Sequence, residues 1–192
     1  MAFTSERSPS GYLRWHDRPL ASKTMEHFRT LGLSQDNLGL LGKLVAGHAR
    51  FLLIGGAAVR VYIGSRRKPE DMDLLIEAEI DNAKRVHSLL RECGVTTIFS
   101  AEHLTKSNQQ IRLTENVYDY KADLVTPSSD FDFQAEFARA KVITIAGSQV
   151  RVICRESLIA MKSRTGRKWD VRDLELLMNV QRREERHKGG NP

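Results

Sequence analysis

Apolar and polar positions alternate along the chain with two periods, one of strands and one of helices. Phe51–Ile54 is a continuous apolar run ended by Gly55-Gly56, which reads as a buried strand and a Gly-Gly turn. A short helix and a basic loop follow, and a second strand opens on Asp71 and runs to Glu77. Upstream, Ser34 stands in an N-cap position three residues before Asn37, and Leu38, Leu41, Leu44 and Val45 repeat at helical spacing. Residues 23–31 predict an earlier helix. Residues 81–93 predict another, with Ala83, Val86, Leu89 and Leu90 on one face and Gly94 as its stop. Residues 95–100 and 109–113 carry weaker strand patterns, and 117–126 a better one closed by Pro127. After a short helix at 131–138, residues 141–153 alternate on both sides of Gly147-Ser148, as a hairpin does. Two helices, 156–164 and 168–182, joined at Gly166, finish the pattern.

Strands interleaved with helices, plus one hairpin, predict an α+β fold: a mixed sheet covered by helices, with a C-terminal helical pair. The expected division is an N-terminal extension, partly ordered, at 1–33, a core at 34–154, helices completing the site at 155–186, and a flexible tail at 187–192. A hydrophobic content of 41% and a charged content of 28% describe an ordinary soluble globular chain, long enough at 192 residues for one core. Cys93 and Cys154 are too few for a disulfide framework and lack metal-ligand spacing, so a reduced, cytoplasmic compartment is expected. No apolar run suits a signal peptide or spans a bilayer, so no membrane partner is expected. The formal net charge is +6, and residues 151–192 hold eleven Lys/Arg against six Asp/Glu. Such a basic region favours phosphate-rich partners, although for residues 181–192 a solvated helix face and a frayed tail account for it better.

Chemistry concentrates around residues 51–77. Asp71 and Asp73 are two apart and would project from one strand face. Side by side in water they repel; around a divalent cation they are useful, because hard oxygen ligands suit Mg²⁺ (or Mn²⁺) and leave positions for substrate phosphates. Gly55 and Gly56, without a Cβ, let the backbone turn tightly and approach a ligand.

Gly55-Gly56, a spacer of fourteen residues and Asp71-Met72-Asp73-Leu74 together resemble the signature of the nucleotidyltransferase superfamily. The resemblance implies an NTP substrate, its triphosphate cradled by Gly55 and Gly56. It also implies a third carboxylate from a neighbouring strand, as metal ligand and base. Asp123, followed by apolar Leu124 and Val125, fits that place better than Asp119. Arg66, Arg67 and Lys68 precede the paired carboxylates, and Arg67 stands where an Arg often precedes them in related sequences. Residues 156–177, with Lys162, Asp170 and Asp173, resemble the C-terminal segment of abortive-infection and type IV toxin–antitoxin nucleotidyltransferases. That likeness implies Lys162 and Asp170 as nucleotide-binding residues, RNA (tRNA) as acceptor and a cognate antitoxin as a possible partner. Asp170 and Asp173 also suit the start of a helix by charge alone. Two departures stand out: Pro69 where these toxins often carry Ser or Thr, and a short gap between Lys162 and Asp170. The alternatives are a small-molecule (antibiotic) nucleotidyltransferase and a non-catalytic module or antitoxin of the same fold.

Overall fold

The computed structural model describes residues 31–64, 69, 71–113 and 121–189. The expected helix at 23–31, the basic residues Arg66, Arg67 and Lys68, and Asp119 lie outside the described residues, except for Leu31. In chain order the elements are α1 (Gln35–Ala46), β1 (Phe51–Ile54), α2 (Gly55–Ile63), β2 (Met72–Ile76) and α3 (Ile80–Glu92). A 3₁₀ turn (Ala101–Thr105), β3 (Gln110–Leu113), β4 (Ala122–Val125), α4 (Phe133–Arg139), β5 (Lys141–Ile145) and β6 (Ser148–Val152) follow. Two helices, α5 (Arg155–Ser163) and α6 (Lys168–Gly189), close the chain.

The six strands form one sheet in the order β3-β4-β2-β1-β6-β5. Its pairings are mixed as expected: β1/β2, β3/β4 and β5/β6 are antiparallel, whereas β1/β6 and β2/β4 are parallel. Every residue of β1 is buried, which is why its sequence is an unbroken apolar run. β2 is buried except at Asp73, its one half-exposed position. Leu52, Leu53, Leu74, Leu75 and Ile76 form the centre of the core with Leu40, Leu41 and Leu44 of α1.

Two buried asparagines knit helices to strand ends. Asn37 Nδ2 donates to the Lys121 carbonyl at 3.0 Å, and Lys121 N–H donates back to its Oδ1 at 3.2 Å, fixing the entry to β4. Asn82 Oδ1 accepts from Arg50 N–H at 2.8 Å, and its Nδ2 donates to the carbonyls of Arg50 and Glu77. Ser34 caps α1 as expected, accepting from Asn37 N–H at 3.2 Å.

Local readings are corrected at five places. Gly55-Gly56 is no separate turn: the helix begins at Gly55 itself. Asp71 stands just ahead of β2 rather than within it. Residues 95–100 form no strand, because Gly94 and Val95 close α3 with a pair of backbone bonds. Gly94 N–H donates to Arg91 and Val95 N–H to Leu90, with Val95 buried as the apolar residue of that cap. The hairpin turns one residue earlier than expected. Ile145 pairs with Ser148, so Ala146 and Gly147 are the turn, at φ 47° and 84°. Finally, α6 runs on to Gly189, its far half tied to α5 by Arg155 Nη1–Glu184 Oε2 at 2.8 Å.

Candidate active site

The parallel register of β2 and β4 sets Asp73 directly beside Asp123. Asp71, one residue ahead of β2, joins them along the wall of a cavity of about 420 Å³. Gly55, Gly56 and Pro69 line the same cavity, and Leu158, Met161, Lys162, Trp169 and Asp170 contribute from the last two helices. A larger and more open depression of about 670 Å³, between α3 and residues 94–100, is lined by no carboxylate side chain. The chemistry lies in the first.

Asp73 carries the strain of this arrangement. Burial, then the neighbouring charges of Asp123 and Asp71, push its carboxyl up to about 6, against the opposing pull of Lys162 and a backbone hydrogen bond from Gly56. Gly55 has φ +63°, and a Cβ there would fall 1.8 Å from Asp73 Oδ2. Only a residue without a Cβ lets the start of α2 lie against that carboxylate. Gly55→Ala should therefore destabilise the fold by at least about 1–2 kcal/mol through its left-handed backbone alone. It should also displace Asp73; a thermal melt equal to wild type would contradict this packing.

Asp123 is buried and fully engaged. Arg112, opposite it on β3, donates from Nε to Oδ1 at 3.0 Å and from Nη2 to Oδ2 at 3.1 Å, and Gln110 Nε2 donates to Oδ2 at 2.7 Å. Arg112 Nη2 also stands 3.7 Å from Asp71 Oδ2, so one exposed guanidinium bridges two of the three acids. Among the described residues, no group of three or more His, Cys, Asp or Glu side chains is disposed to hold a metal as it stands. The donor set nevertheless fits a divalent cation. Its oxygens are hard, burial and then the neighbouring charges of Asp123 and Asp71 raise Asp73, and a cationic group already bridges two of the acids. Asp71, Asp73 and Asp123 are the residues that would hold it.

On the helical side, Lys162 is buried, its Nζ 2.5 Å from Asp170 Oδ1 and 3.0 Å from Asp173 Oδ2. Thr165 Oγ1 donates to Asp170 Oδ2 at 2.5 Å. Although burial opposes it, the hydrogen bonds from Lys162 and Thr165 hold Asp170 below the ordinary carboxylate value. Lys162 is thus the centre of a three-residue ionic cluster joining α5 to α6. Asp173 is its second partner as well as an acid near the start of α6.

The structure brings together Gly55, Gly56, Asp71, Asp73, Asp123, Lys162 and Asp170 around one cavity. Arg67 lies outside the described residues. Sequence reasoning missed Arg112, Gln110, Thr165 and Trp169. For the first two a signal existed, since they are two apart on one strand and face the Asp123 strand once 110–113 is paired with 122–125.

The model of the family described as "Nucleotidyl transferase of unknown function (DUF2204)" matches residues 34–188. The chain belongs to this family, and with it to the nucleotidyltransferase superfamily. One similar solved structure is the crystal structure of an antigenic nucleotidyltransferase-like protein from Paracoccidioides brasiliensis. It is 20% identical, with a TM-score of 0.41, over 77% of this chain and 78% of that chain. No curated protein shows significant similarity to the chain. Among the described residues, no helix is long and apolar enough to cross a membrane.

Proposed function

We propose that the protein transfers a nucleoside monophosphate from an NTP to an acceptor hydroxyl, releasing pyrophosphate. The observation that carries this reading is the convergence of Asp71, Asp73 and Asp123 on one cavity wall beside the Gly55-Gly56 start of α2. Phosphoryl transfer asks a protein for positioning and charge neutralisation more than for covalent chemistry. A Mg²⁺ or Mn²⁺ ion bound by the three acids would supply that neutralisation and orient the triphosphate. The acceptor oxygen forms the new bond to the α-phosphorus, the bond to the bridging oxygen breaks, and pyrophosphate leaves with its electron pair. Asp123 takes the acceptor proton. For that, one oxygen must be given up by Arg112 or Gln110, and both donors sit on the edge strand β3, where they have room to move. Lys162 and Asp170 are assigned to the nucleotide on the opposing side, where the Lys162 ammonium would have to turn from Asp170 or Asp173 to reach a phosphate. Gly56 and Arg67 are assigned to the phosphates.

For the acceptor we favour RNA, with the 3′ end of tRNA as the implied class. The excess of positive charge in residues 151–192 supports it, as do the exposed Arg164, Arg167, Arg172, Arg182, Arg183 and Arg186 on and around α6. Action as the toxin of a toxin–antitoxin pair, with a cognate antitoxin, rests on the likeness of residues 156–177 alone. Incubation with each labelled NTP, Mg²⁺ and total RNA tests the reading. Label should appear in RNA, be lost in Asp123→Asn, and be accompanied by RNA binding that weakens with salt by about one unit of slope per phosphate contact. Label on an aminoglycoside, with salt-independent RNA binding, would instead favour the antibiotic-modifying alternative.

A further inference from the structure

Among the described residues, Trp169 is the only aromatic one lining the carboxylate cavity, and it is 58% exposed. An indole more than half exposed forfeits part of its burial gain, and this one does so while lining the cavity that holds Asp71, Asp73 and Asp123. Both walls carry charge, but only the helical wall adds an aromatic surface. The sheet side offers Asp71, Asp73 and Asp123 with Arg112 and Gln110, whereas the helical wall sets Trp169, Leu158 and Met161 beside the Lys162–Asp170–Asp173 cluster. A nucleotide has the same division, a polyanionic end that needs cations and a flat apolar base that needs a stacking surface.

We infer that Trp169 is the platform on which the base of the NTP stacks while its phosphates face Asp71 and Asp73. This inference rests on the function proposed above and names the part of the chain that holds the base. Every base has a π-face, so an indole platform tolerates all four, but the larger purines overlap it better. Among the described residues, no buried hydrogen-bonding side chain lies on this helical wall besides the Lys162 cluster, whose polar atoms are engaged with one another. The site is therefore built to prefer purines over pyrimidines without distinguishing ATP sharply from GTP.

The test uses full-length protein, Mg²⁺ and α,β-methylene ATP, which cannot be cleaved at the reacting bond. Trp15 is the second tryptophan of the chain, so fluorescence is read in a Trp15→Phe background. Nucleotide should quench the remaining indole emission. Trp169→Leu should weaken binding about 10- to 100-fold, the ratio expected for one base–aromatic stack, and Trp169→Phe should recover part of it. Inorganic tripolyphosphate should bind wild type and Trp169→Leu alike, a result that a collapsed cavity would not give. The preference for purine over pyrimidine triphosphates should flatten in Trp169→Leu. Unchanged ATP-analogue affinity in Trp169→Leu, or equal loss of tripolyphosphate binding, overturns the stacking role alone. Absence of any Mg²⁺-dependent nucleotide binding by wild type overturns it together with the proposed function.

Discussion

Asp73→Asn should abolish nucleotide transfer and, in the metal-free protein at neutral pH, raise stability. The carboxyl of Asp73 is pushed from 3.8 up to about 6 by burial and by Asp123 and Asp71. A carboxylate whose folded-state value is raised binds its proton more tightly folded than unfolded. Its contribution therefore favours the fold at low pH and is lost as pH rises from about 4 through about 6. Above that window the native state bears a penalty on the order of 2–3 kcal/mol, which the neutral amide removes while keeping the side-chain shape. Thermal melts in EDTA should show wild type and variant nearly equal at about pH 3.5, below the unfolded value, and the variant more stable at about pH 7.5. Added Mg²⁺ should then stabilise wild type and leave the variant unmoved. Transfer should fall by at least about 10²- to 10³-fold, the scale of losing one preorganised charge at a reaction centre. A variant less stable than wild type at both pH values would show that Asp73 is structural.

The second large effect is expected at Lys162. Its ammonium is shared by Asp170 and Asp173, and Asp173 is only 1% exposed. Lys162→Met keeps the length of the side chain and strands two acids without their cation. Removing one partner of a buried ionic group costs about 3–5 kcal/mol, because an uncompensated charge remains in the interior. For a chain of this size that corresponds to roughly 6–20 °C in melting temperature. Lys162→Met combined with Asp173→Leu should recover most of the loss, since an apolar pair of similar volume needs no counter-ion and Asp170 keeps Thr165. A single variant that melts with wild type would mean that water already screens the cluster.

These two sites differ in how far the chain alone discloses them. β1, the end of α3 at Gly94 and the β5–β6 hairpin are each specified within a few consecutive residues, so periodicity and turn chemistry find them, the hairpin to within one position. Residues 95–100 carry a weak strand pattern, yet among the described residues they pair with no strand, and Val95 is consumed by the helix cap. The paired acids Asp71 and Asp73 are legible because they are close in sequence. Asp123 is legible only through resemblance, and Arg112 and Gln110 not at all without the register of β3 against β4. Likewise the likeness marks Lys162 for the nucleotide, but its pairing with Asp173 appears only once α6 is packed against α5. What a single stretch cannot show is which buried charge meets which, because that is decided by elements brought together from far along the chain.

The direct pairing of Asp73 with Asp123 has a consequence for how the protein must assemble. The two residues are fifty positions apart, and parallel strands cannot be joined by a tight turn, so α3 and β3 must both be threaded before β4 can dock on β2. No fragment ending before β4 holds more than Asp71 and Asp73, and no local hairpin or helix contains the acidic face. Its formation belongs to the slow, long-range part of folding rather than to any early nucleus. On the proposed function, nucleotide and metal would therefore find nothing complete to grip on a nascent chain. They would hold the finished sheet together without guiding it into place.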